Sequence, residues 1–152
     1  MKEKFGLFFE DFITGETIEH ARTKTILESD NNLFSLLTMN HHPVHLDFEY
    51  CKETQHGQPL VVGTLVFSLV VGLTVSIISG KAIANLNYEK IEHLAPVFVN
   101  DTLSVTSTIL EKRDSKSKPD RGLIRVESIA YNQNDLQVLK FRRNVLVRKR
   151  ES

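Results

Sequence analysis

The sequence predicts an α+β domain in which an antiparallel sheet wraps around one long apolar helix. Two observations lead to this prediction. Residues 61–79 form an apolar run in which Gly72 is the one interruption after Gly63, and this run is long for a strand and typical of a buried helix. After Gly80, four segments rich in Ile, Val, Leu, Tyr and Thr are separated by turn residues, as in an antiparallel sheet.

The part ahead of the apolar run is predicted to contain one strand and one amphipathic helix. Residues 17–26 alternate partly between apolar and polar side chains, and their Thr and Ile content favours a strand. Ser29 or Asp30 is then expected to cap the N-terminus of a helix. The apolar residues of this helix form one stripe, which consists of Leu33, Phe34, Leu36 and Leu37.

A loop and a second short helix are predicted to follow. Pro43 disfavours the α conformation at His42 and thereby ends the first helix. Asp47 is expected to cap a short helix that reaches Cys51, and residues 56–59 form a loop before the long helix. Gly80 stands where a C-cap glycine is expected.

The remaining chain is predicted to form a four-strand meander over residues 81–92, 102–113, 121–132 and 136–149. The turns between the strands are marked by Ala95-Pro96, Asn100-Asp101, residues 115–122 and residues 132–135. No repeat, low-complexity tract or linker interrupts this order. A single domain over residues 1–152 is therefore expected.

Charge and cysteine content argue against two classes, nucleic-acid-binding proteins and secreted proteins. The chain has 19 basic and 19 acidic residues, so it lacks the basic excess that is usual in nucleic-acid-binding proteins. Cys51 is the single cysteine, which favours a reducing, cytoplasmic setting over secretion. The N-terminal residues Met1 to Phe5 lack the apolar segment of a signal peptide.

The apolar run also raises the alternative of a membrane span. Residues 57–80 contain no ionisable side chain, and a segment of that length can cross a bilayer. However, six Ser, Thr and Gln side chains and Pro59 lie within it, and a central helix of a globular domain is apolar on all sides too. We therefore expect a buried helix and no membrane association.

Three of the six histidines cluster between the first helix and the apolar run, at His41, His42 and His45. Histidine exchanges protons near neutral pH, so this loop is a candidate for acid–base chemistry. The alternative is a polar loop whose imidazoles are solvated or cap a helix. Zinc binding is disfavoured because the cluster lacks the His-Glu-x-x-His pattern of zinc metalloproteases. Cys51 is a further candidate nucleophile, although a small buried residue is its commoner role.

Residues 40–47 read Asn-His-His-Pro-Val-His-Leu-Asp, and Gly63 precedes the long apolar helix. This arrangement resembles the MaoC-type enoyl-CoA hydratases, whose motif reads roughly Asp-x-Asn-Pro-x-His-x-Asp. Segments within 84–89, 95–103 and 112–120 resemble a narrower branch that includes mesaconyl-CoA and itaconyl-CoA hydratases. The resemblance covers roughly residues 10–149 and implies the hot-dog fold, a curled antiparallel sheet around one central helix.

The resemblance also implies roles for individual residues. His45 matches the catalytic histidine of the family, whereas Asn40 stands in place of its catalytic aspartate. His42 replaces the family's Asn before Pro, and Val62 replaces the His that often precedes the helix glycine. An amide orients a water but cannot take its proton. His45 is therefore the predicted acid/base group, and the backbone N–H of Gly63 is the predicted oxyanion donor, with a tight entry into the helix as the alternative.

The predicted function is hydration or dehydration across the 2,3-double bond of a short, dicarboxylic enoyl-CoA of the mesaconyl-CoA or itaconyl-CoA type. No cofactor is expected, since CoA is part of the substrate. Asn40 is predicted to hold the water or the acyl group, and His41 and His42 either line the same end of the pocket or face solvent. A thioesterase of the same fold and a non-catalytic acyl-CoA-binding subunit remain alternatives.

A homodimer or higher homo-oligomer is expected because a five-strand sheet covers only part of an apolar helix, and because hot-dog proteins pair through their sheets. Lys116, Lys118 and Arg121 lie in a cationic loop that is a candidate for binding the phosphates of CoA. A solvated hairpin turn with mixed charges is the alternative for this loop.

Overall fold

The computed structural model describes residues 5–151. The helices are α1 (Glu28–Leu37), α2 (Pro43–Leu46), α3 (Phe48–Lys52) and α4 (Gly63–Thr74), and α4 continues as a π-helical turn over Val75–Ser79. The strands are β1 (Thr17–Glu19), β2 (Lys24–Thr25), β3 (Ala82–His93), β4 (Thr102–Asp114), β5 (Arg121–Tyr131) and β6 (Gln137–Arg148). The predicted α+β class, the long helix and the four C-terminal strands are confirmed, with boundaries shifted by one or two residues.

The sheet is antiparallel throughout, in the order β1-β4-β5-β6-β3, and β2 also pairs with β4. The predicted meander is therefore wrong for β3, which pairs with β6 at the far edge instead of lying beside β4. The reason is that α4 packs against the inner apolar face of the sheet, and the π-helical turn after it leads the chain into β3 beside β6. One face of β4, β5 and β6 is buried in alternation, as expected for strands that cover a helix.

The apolar interior between the central helix and the sheet consists of two clusters. Leu65, Val66, Val70 and Ile78 are buried on the helix side, and the inner face of the sheet supplies residues such as Phe141. Each such side chain contributes about 1.5–3 kcal/mol through removal of apolar surface from water. Within residues 5–151, no helix has the length and apolarity needed to cross a membrane.

Two predictions about the N-terminal half need correction. The strand over residues 17–26 is two short strands, because the chain leaves regular pairing where the ring of His20 is buried against Ser107. Helix α1 begins at Glu28, before the expected caps. Asp30 lies in its first turn, where its carboxylate accepts the Leu27 N–H at 2.9 Å. The apolar stripe of α1 faces outward, with Leu33, Leu36 and Leu37 exposed, while Asn31 and Ser35 face the interior.

Gly80 is the C-cap residue of the π-helical turn, as its position predicts, but it lacks the left-handed conformation that favours glycine there. Its φ of −61° is right-handed, so it is not a left-handed C-cap. A Cβ at this position would lie 2.8 Å from Cα of Gly6, so glycine is needed because two backbone segments approach each other closely. In contrast, the predicted N-cap is confirmed at Asp47, whose carboxylate accepts the Tyr50 N–H, and His42 is extended ahead of Pro43.

Candidate active site

The imidazole of His45 is held in a defined orientation. Its Nδ1 lies 2.7 Å from the carbonyl oxygen of Leu60. A carbonyl only accepts hydrogen bonds, so Nδ1 must carry the proton and Nε2 of the neutral ring carries the lone pair. The side chain is half-buried, in the last turn of α2. This arrangement leaves one nitrogen of His45 available to take a proton from a bound water.

His42 has a different environment. Its Nδ1 accepts the backbone N–H of Val44 at 3.1 Å, so the ring caps the N-terminus of α2. The neutral ring therefore carries its proton on Nε2. The rings of His42 and His45 meet edge to face with centroids 6.2 Å apart. His41 is exposed. Of the clustered histidines, His45 alone has a ring nitrogen bonded to a segment outside its own loop.

Asn40 follows the left-handed residue Met39, whose φ is 63°, and its side chain folds back on the loop. The Oδ1 atom accepts the N–H of His42 at 3.3 Å. Since Oδ1 is engaged within the loop, Nδ2 is the atom of the Asn40 amide that supplies hydrogen-bond donors. The side chain is half-buried, and it can donate hydrogen bonds to a water or to an acyl group.

Gly63 begins α4 and lines a cavity of about 330 Å³, here named the Gly63 pocket. The first N–H groups of a helix have no partner within it, and they carry the positive end of the helix dipole. A Cβ at position 63 would lie 3.1 Å from Cε1 of His93, so the glycine allows this ring to approach the start of the helix. The other walls are mostly apolar and include His56, Leu60 and Pro96.

The side chain of Val62 does not reach this pocket. It is 3% exposed and belongs to the apolar core, and its N–H donates to Oδ1 of Asn31 at 3.0 Å. Val62 was predicted to help bind the substrate, and within this chain its side chain is buried and its N–H is already hydrogen-bonded. Val62 instead acts as the N-cap residue of α4 and fixes the start of the helix.

Three polar residues of this region were not identified from the sequence. His93 ends β3, 30 positions after Gly63, and His56 contacts the ring of Phe98 at 5.3 Å between centroids. Both line the Gly63 pocket. Asn31 is fully buried and hydrogen-bonds the segments that carry His45 and Val62. Neither histidine belongs to a local motif, and an Asn in a short helix usually faces solvent.

The cationic loop lies at the other end of the molecule. Arg121 begins β5 and pairs with Arg148 at the end of β6, next to Lys81 and the start of β3. The Gly63 pocket lies at the His93 end of β3, and a strand of 12 residues spans roughly 36 Å. Arg121 forms an ion pair with Asp120 at 2.8 Å, and Lys116 and Lys118 are exposed. Within one chain, these cations do not meet the pocket.

The alternatives of thiol and metal chemistry receive no structural support. Cys51 is buried, its thiol donates to the carbonyl of Val44 at 3.2 Å, and burial raises the pKa of the thiol, followed by the charge of Asp47. A buried thiol with a raised pKa is a weak nucleophile. Across residues 5–151, no three His, Cys, Asp or Glu side chains are grouped to hold a metal ion.

The sequence is similar to a family of known domains. A family model described as MaoC-like domain matches residues 11–132. The β-methylmalyl-CoA dehydratase of Chloroflexus aurantiacus is 38% identical over 96% of this chain and 41% of its own length. The mesaconyl-CoA hydratase of Cereibacter sphaeroides is 36% identical over 100% of this chain and 44% of its own length. The chain thus spans less than half the length of these relatives.

The fold is also similar to solved structures. A conserved hypothetical protein from Mycobacterium tuberculosis, described as a double hot-dog fold, superposes with a TM-score of 0.88 over 97% of this chain and 46% of its own. Its sequence identity is 22%, so this similarity concerns the fold. The curled antiparallel sheet around α4 is thereby confirmed as a hot-dog fold.

Proposed function

This chain belongs to the family of MaoC-like domains, and on that premise we propose that it hydrates or dehydrates enoyl-CoA thioesters across the 2,3-double bond. The observation that carries the proposal is the bond from Nδ1 of His45 to the Leu60 carbonyl, because it presents Nε2 as a base. Leu60 also lines the Gly63 pocket, which links this base to the start of α4.

The residues divide the reaction between a base and an oxyanion donor. In hydration, Nε2 of His45 takes a proton from water as the water oxygen bonds to C3 of the acyl group. The electrons of the double bond move toward the thioester carbonyl, and the Gly63 N–H at the helix N-terminus stabilises the resulting oxyanion. Protonation of C2 by the His45 imidazolium completes the addition and regenerates the base. Dehydration follows the same steps in reverse.

The substrate class that we propose is a short dicarboxylic acyl-CoA of the mesaconyl-CoA or itaconyl-CoA type. The two relatives are named for β-methylmalyl-CoA and mesaconyl-CoA. Asn40 supports this choice, because its free Nδ2 donates to a carboxylate, whereas an aspartate at this position would repel one in a site of low dielectric. His41 and His42 flank this end of the loop.

The oligomer that we propose is a homodimer paired along β3. This strand is at the edge of the sheet and exposes Ile83, Leu86, Tyr88 and Ile91. An exposed edge with apolar side chains is unfavourable in a monomer. A second chain that pairs antiparallel to β3 covers these side chains, in keeping with the similarity to a double hot-dog fold.

In such a dimer, the phosphates of CoA would be bound by the cationic loop of the partner chain. Antiparallel pairing places the Ala82 end of one β3 strand beside the His93 end of the other. Lys116, Lys118 and Arg121 of one copy thereby come to the side of the Gly63 pocket of its partner. A groove of about 640 Å³ lies at the same end of the molecule. Its lining includes Lys81 and Arg148, which supply further cationic groups for the phosphates of the nucleotide.

The experiment is incubation with mesaconyl-CoA, itaconyl-CoA and crotonyl-CoA, with enoyl absorbance and free thiol followed together. We expect loss of absorbance without thiol release. Thiol release would instead indicate a thioesterase, which the geometry supports less because no carboxylate lines the Gly63 pocket among the described residues. Binding without either change would indicate an acyl-CoA-binding subunit and contradict the proposal.

A further inference from the structure

Asn31 lies in the first turn of α1 and is completely buried. An amide side chain usually remains in water, because its burial costs free energy unless each polar atom is hydrogen-bonded. Ser35, one turn later on the same face, is also buried. Helix α1 therefore turns its polar face inward, toward the loops of the candidate active site.

The amide of Asn31 connects three backbone positions. Its Nδ2 donates to the carbonyl oxygens of His45 at 3.1 Å and Leu60 at 3.3 Å. Its Oδ1 accepts the N–H of Val62 at 3.0 Å. A single side chain thus joins α1 to α2 and to the segment that enters α4.

The bond to Leu60 bears on the orientation of the catalytic histidine. The same Leu60 carbonyl accepts the Nδ1 proton of His45 at 2.7 Å. Both the backbone of His45 and the acceptor of its ring are therefore held by the Nδ2 group of Asn31. Movement of the Leu60 carbonyl would rotate the imidazole and redirect Nε2.

The bond to Val62 bears on the oxyanion donor. Val62 is the N-cap of α4, and its carbonyl accepts the N–H groups of Leu65 and Val66 at 3.0 and 3.1 Å. The peptide that joins Val62 to Gly63 carries the Gly63 N–H. Because Asn31 fixes the N–H of Val62 on the preceding peptide, it limits rotation of the backbone at the first turn of the helix.

We propose that Asn31 is a positioning residue that sets the distance and direction between Nε2 of His45 and the N–H of Gly63. The inference rests on the proposed hydratase function. Asn31 acts through the imidazole of His45 and the N–H of Gly63, and it does not touch the substrate. A displacement of about 1 Å between reacting groups lowers a rate by on the order of 10²-fold.

Three variants distinguish a role of Asn31 in orienting His45 and Gly63 from a role in the packing of the core alone. Asn31→Asp has the same shape and retains an acceptor for Val62, but it directs an oxygen at the carbonyls of His45 and Leu60. Asn31→Ala removes all three bonds. The matched control is Ser35→Ala, because Ser35 is equally buried on the same helix and its hydroxyl has no partner among the described residues.

The experiment combines steady-state kinetics on mesaconyl-CoA with ¹⁵N NMR of the His45 ring. For both Asn31 variants we expect kcat to fall on the order of 10²-fold while KM changes far less. The ring should be the Nδ1–H tautomer in the wild type and in Ser35→Ala, and a mixture of tautomers in both Asn31 variants. A structural role alone would lower thermal stability without this change of tautomer.

The outcomes distinguish the inference from the function on which it rests. If the wild type does not hydrate any of the three thioesters, the proposed function fails, and the NMR comparison still tests whether Asn31 orients His45. If the wild type is active and the Asn31 variants match Ser35→Ala in kcat and tautomer, the positioning role is refuted. Unfolding of both Asn31 variants would also overturn it, in favour of a purely structural role.

Discussion

Acidification is expected to destabilise the protein through His20, which lies beside β1 with 6% of its surface exposed. Its Nε2 lies 2.9 Å from Oγ of Ser107, which in turn lies 2.8 Å from Oγ of Ser128. Burial, followed by the charge of Arg143, lowers the pKa of His20 to about 4. The buried ring is therefore neutral in the folded protein at neutral pH.

The loss of stability on acidification follows from the difference between the pKa values of His20 in the folded and unfolded protein. In the unfolded chain the pKa of His20 is near its ordinary value of 6.5, so the unfolded state binds a proton first as the pH falls. The contribution of His20 to stability is fully present above about pH 6.5, and it is lost as the pH falls from there to about 4. One pKa unit corresponds to about 1.4 kcal/mol, so the loss is about 2 kcal/mol at pH 5 and about 3 kcal/mol at completion.

The assay is urea unfolding at a series of pH values for the wild type and His20→Gln. Glutamine does not titrate and can still hydrogen-bond Ser107, so the variant retains every other pH-dependent group. The free energy of unfolding of the wild type should fall by about 2 kcal/mol more than that of the variant between pH 7 and pH 5. Parallel curves would refute the reasoning, as would an NMR titration of His20 with a midpoint above pH 6.

Three further predictions concern the site and the dimer. Asn40→Asp should lower kcat/KM for a dicarboxylic acyl-CoA more than for crotonyl-CoA, because the carboxylate repels the substrate; equal losses would contradict this role. Gly63→Ala keeps the backbone N–H but places a methyl group 3.1 Å from Cε1 of His93, so displacement of the groups at the start of α4 should lower kcat/KM about 10²-fold with little change in melting temperature; an unaltered rate would show that the acyl group does not pack against Gly63. Leu86→Lys should convert the dimer to a monomer in light scattering, while Leu136→Lys should not, since both side chains are about half exposed but Leu136 belongs to the turn between β5 and β6 and not to the edge strand; a dimer in both would refute pairing through β3.

Local sequence patterns predict most helices and strands of this fold, but they do not predict the order of the strands in the sheet. The apolar run, Pro43 and Asp47 specify their conformations through neighbours in sequence, and the structure agrees at each. The pairing of β3 with β6 depends on where α4 delivers the chain, which is a property of the whole core. Strand periodicity is the same at either edge of a sheet, so it does not indicate the partner.

The inward face of α1 shows a second limit of sequence patterns. The spacing of Leu33, Leu36 and Leu37 correctly indicates one stripe, but apolar stripes usually face a core and this one faces outward. The structure buries Asn31 and Ser35 instead, and the amide of Asn31 satisfies backbone groups of the loops beside α1. Such groups come from distant parts of the chain and leave no local signal.

The histidine loop and Gly63 were accessible from the sequence because each belongs to a compact motif. His56 and His93 were not, because tertiary packing brings them to the Gly63 pocket. The position of Val62 in the motif also does not reveal that its N–H is bound to Asn31.

The kcat/KM of His45→Ala shows whether Nε2 of His45 transfers the protons in CoA-thioester hydration. The variant is compared with the wild type and with His41→Ala, a change in the same loop at an exposed side chain. Melting temperature and CoA-ester affinity are measured alongside to confirm folding and binding. We expect His45→Ala to lose on the order of 10²–10⁴-fold in kcat/KM, and His41→Ala to lose far less. A rate for His45→Ala equal to that of the wild type would contradict the account.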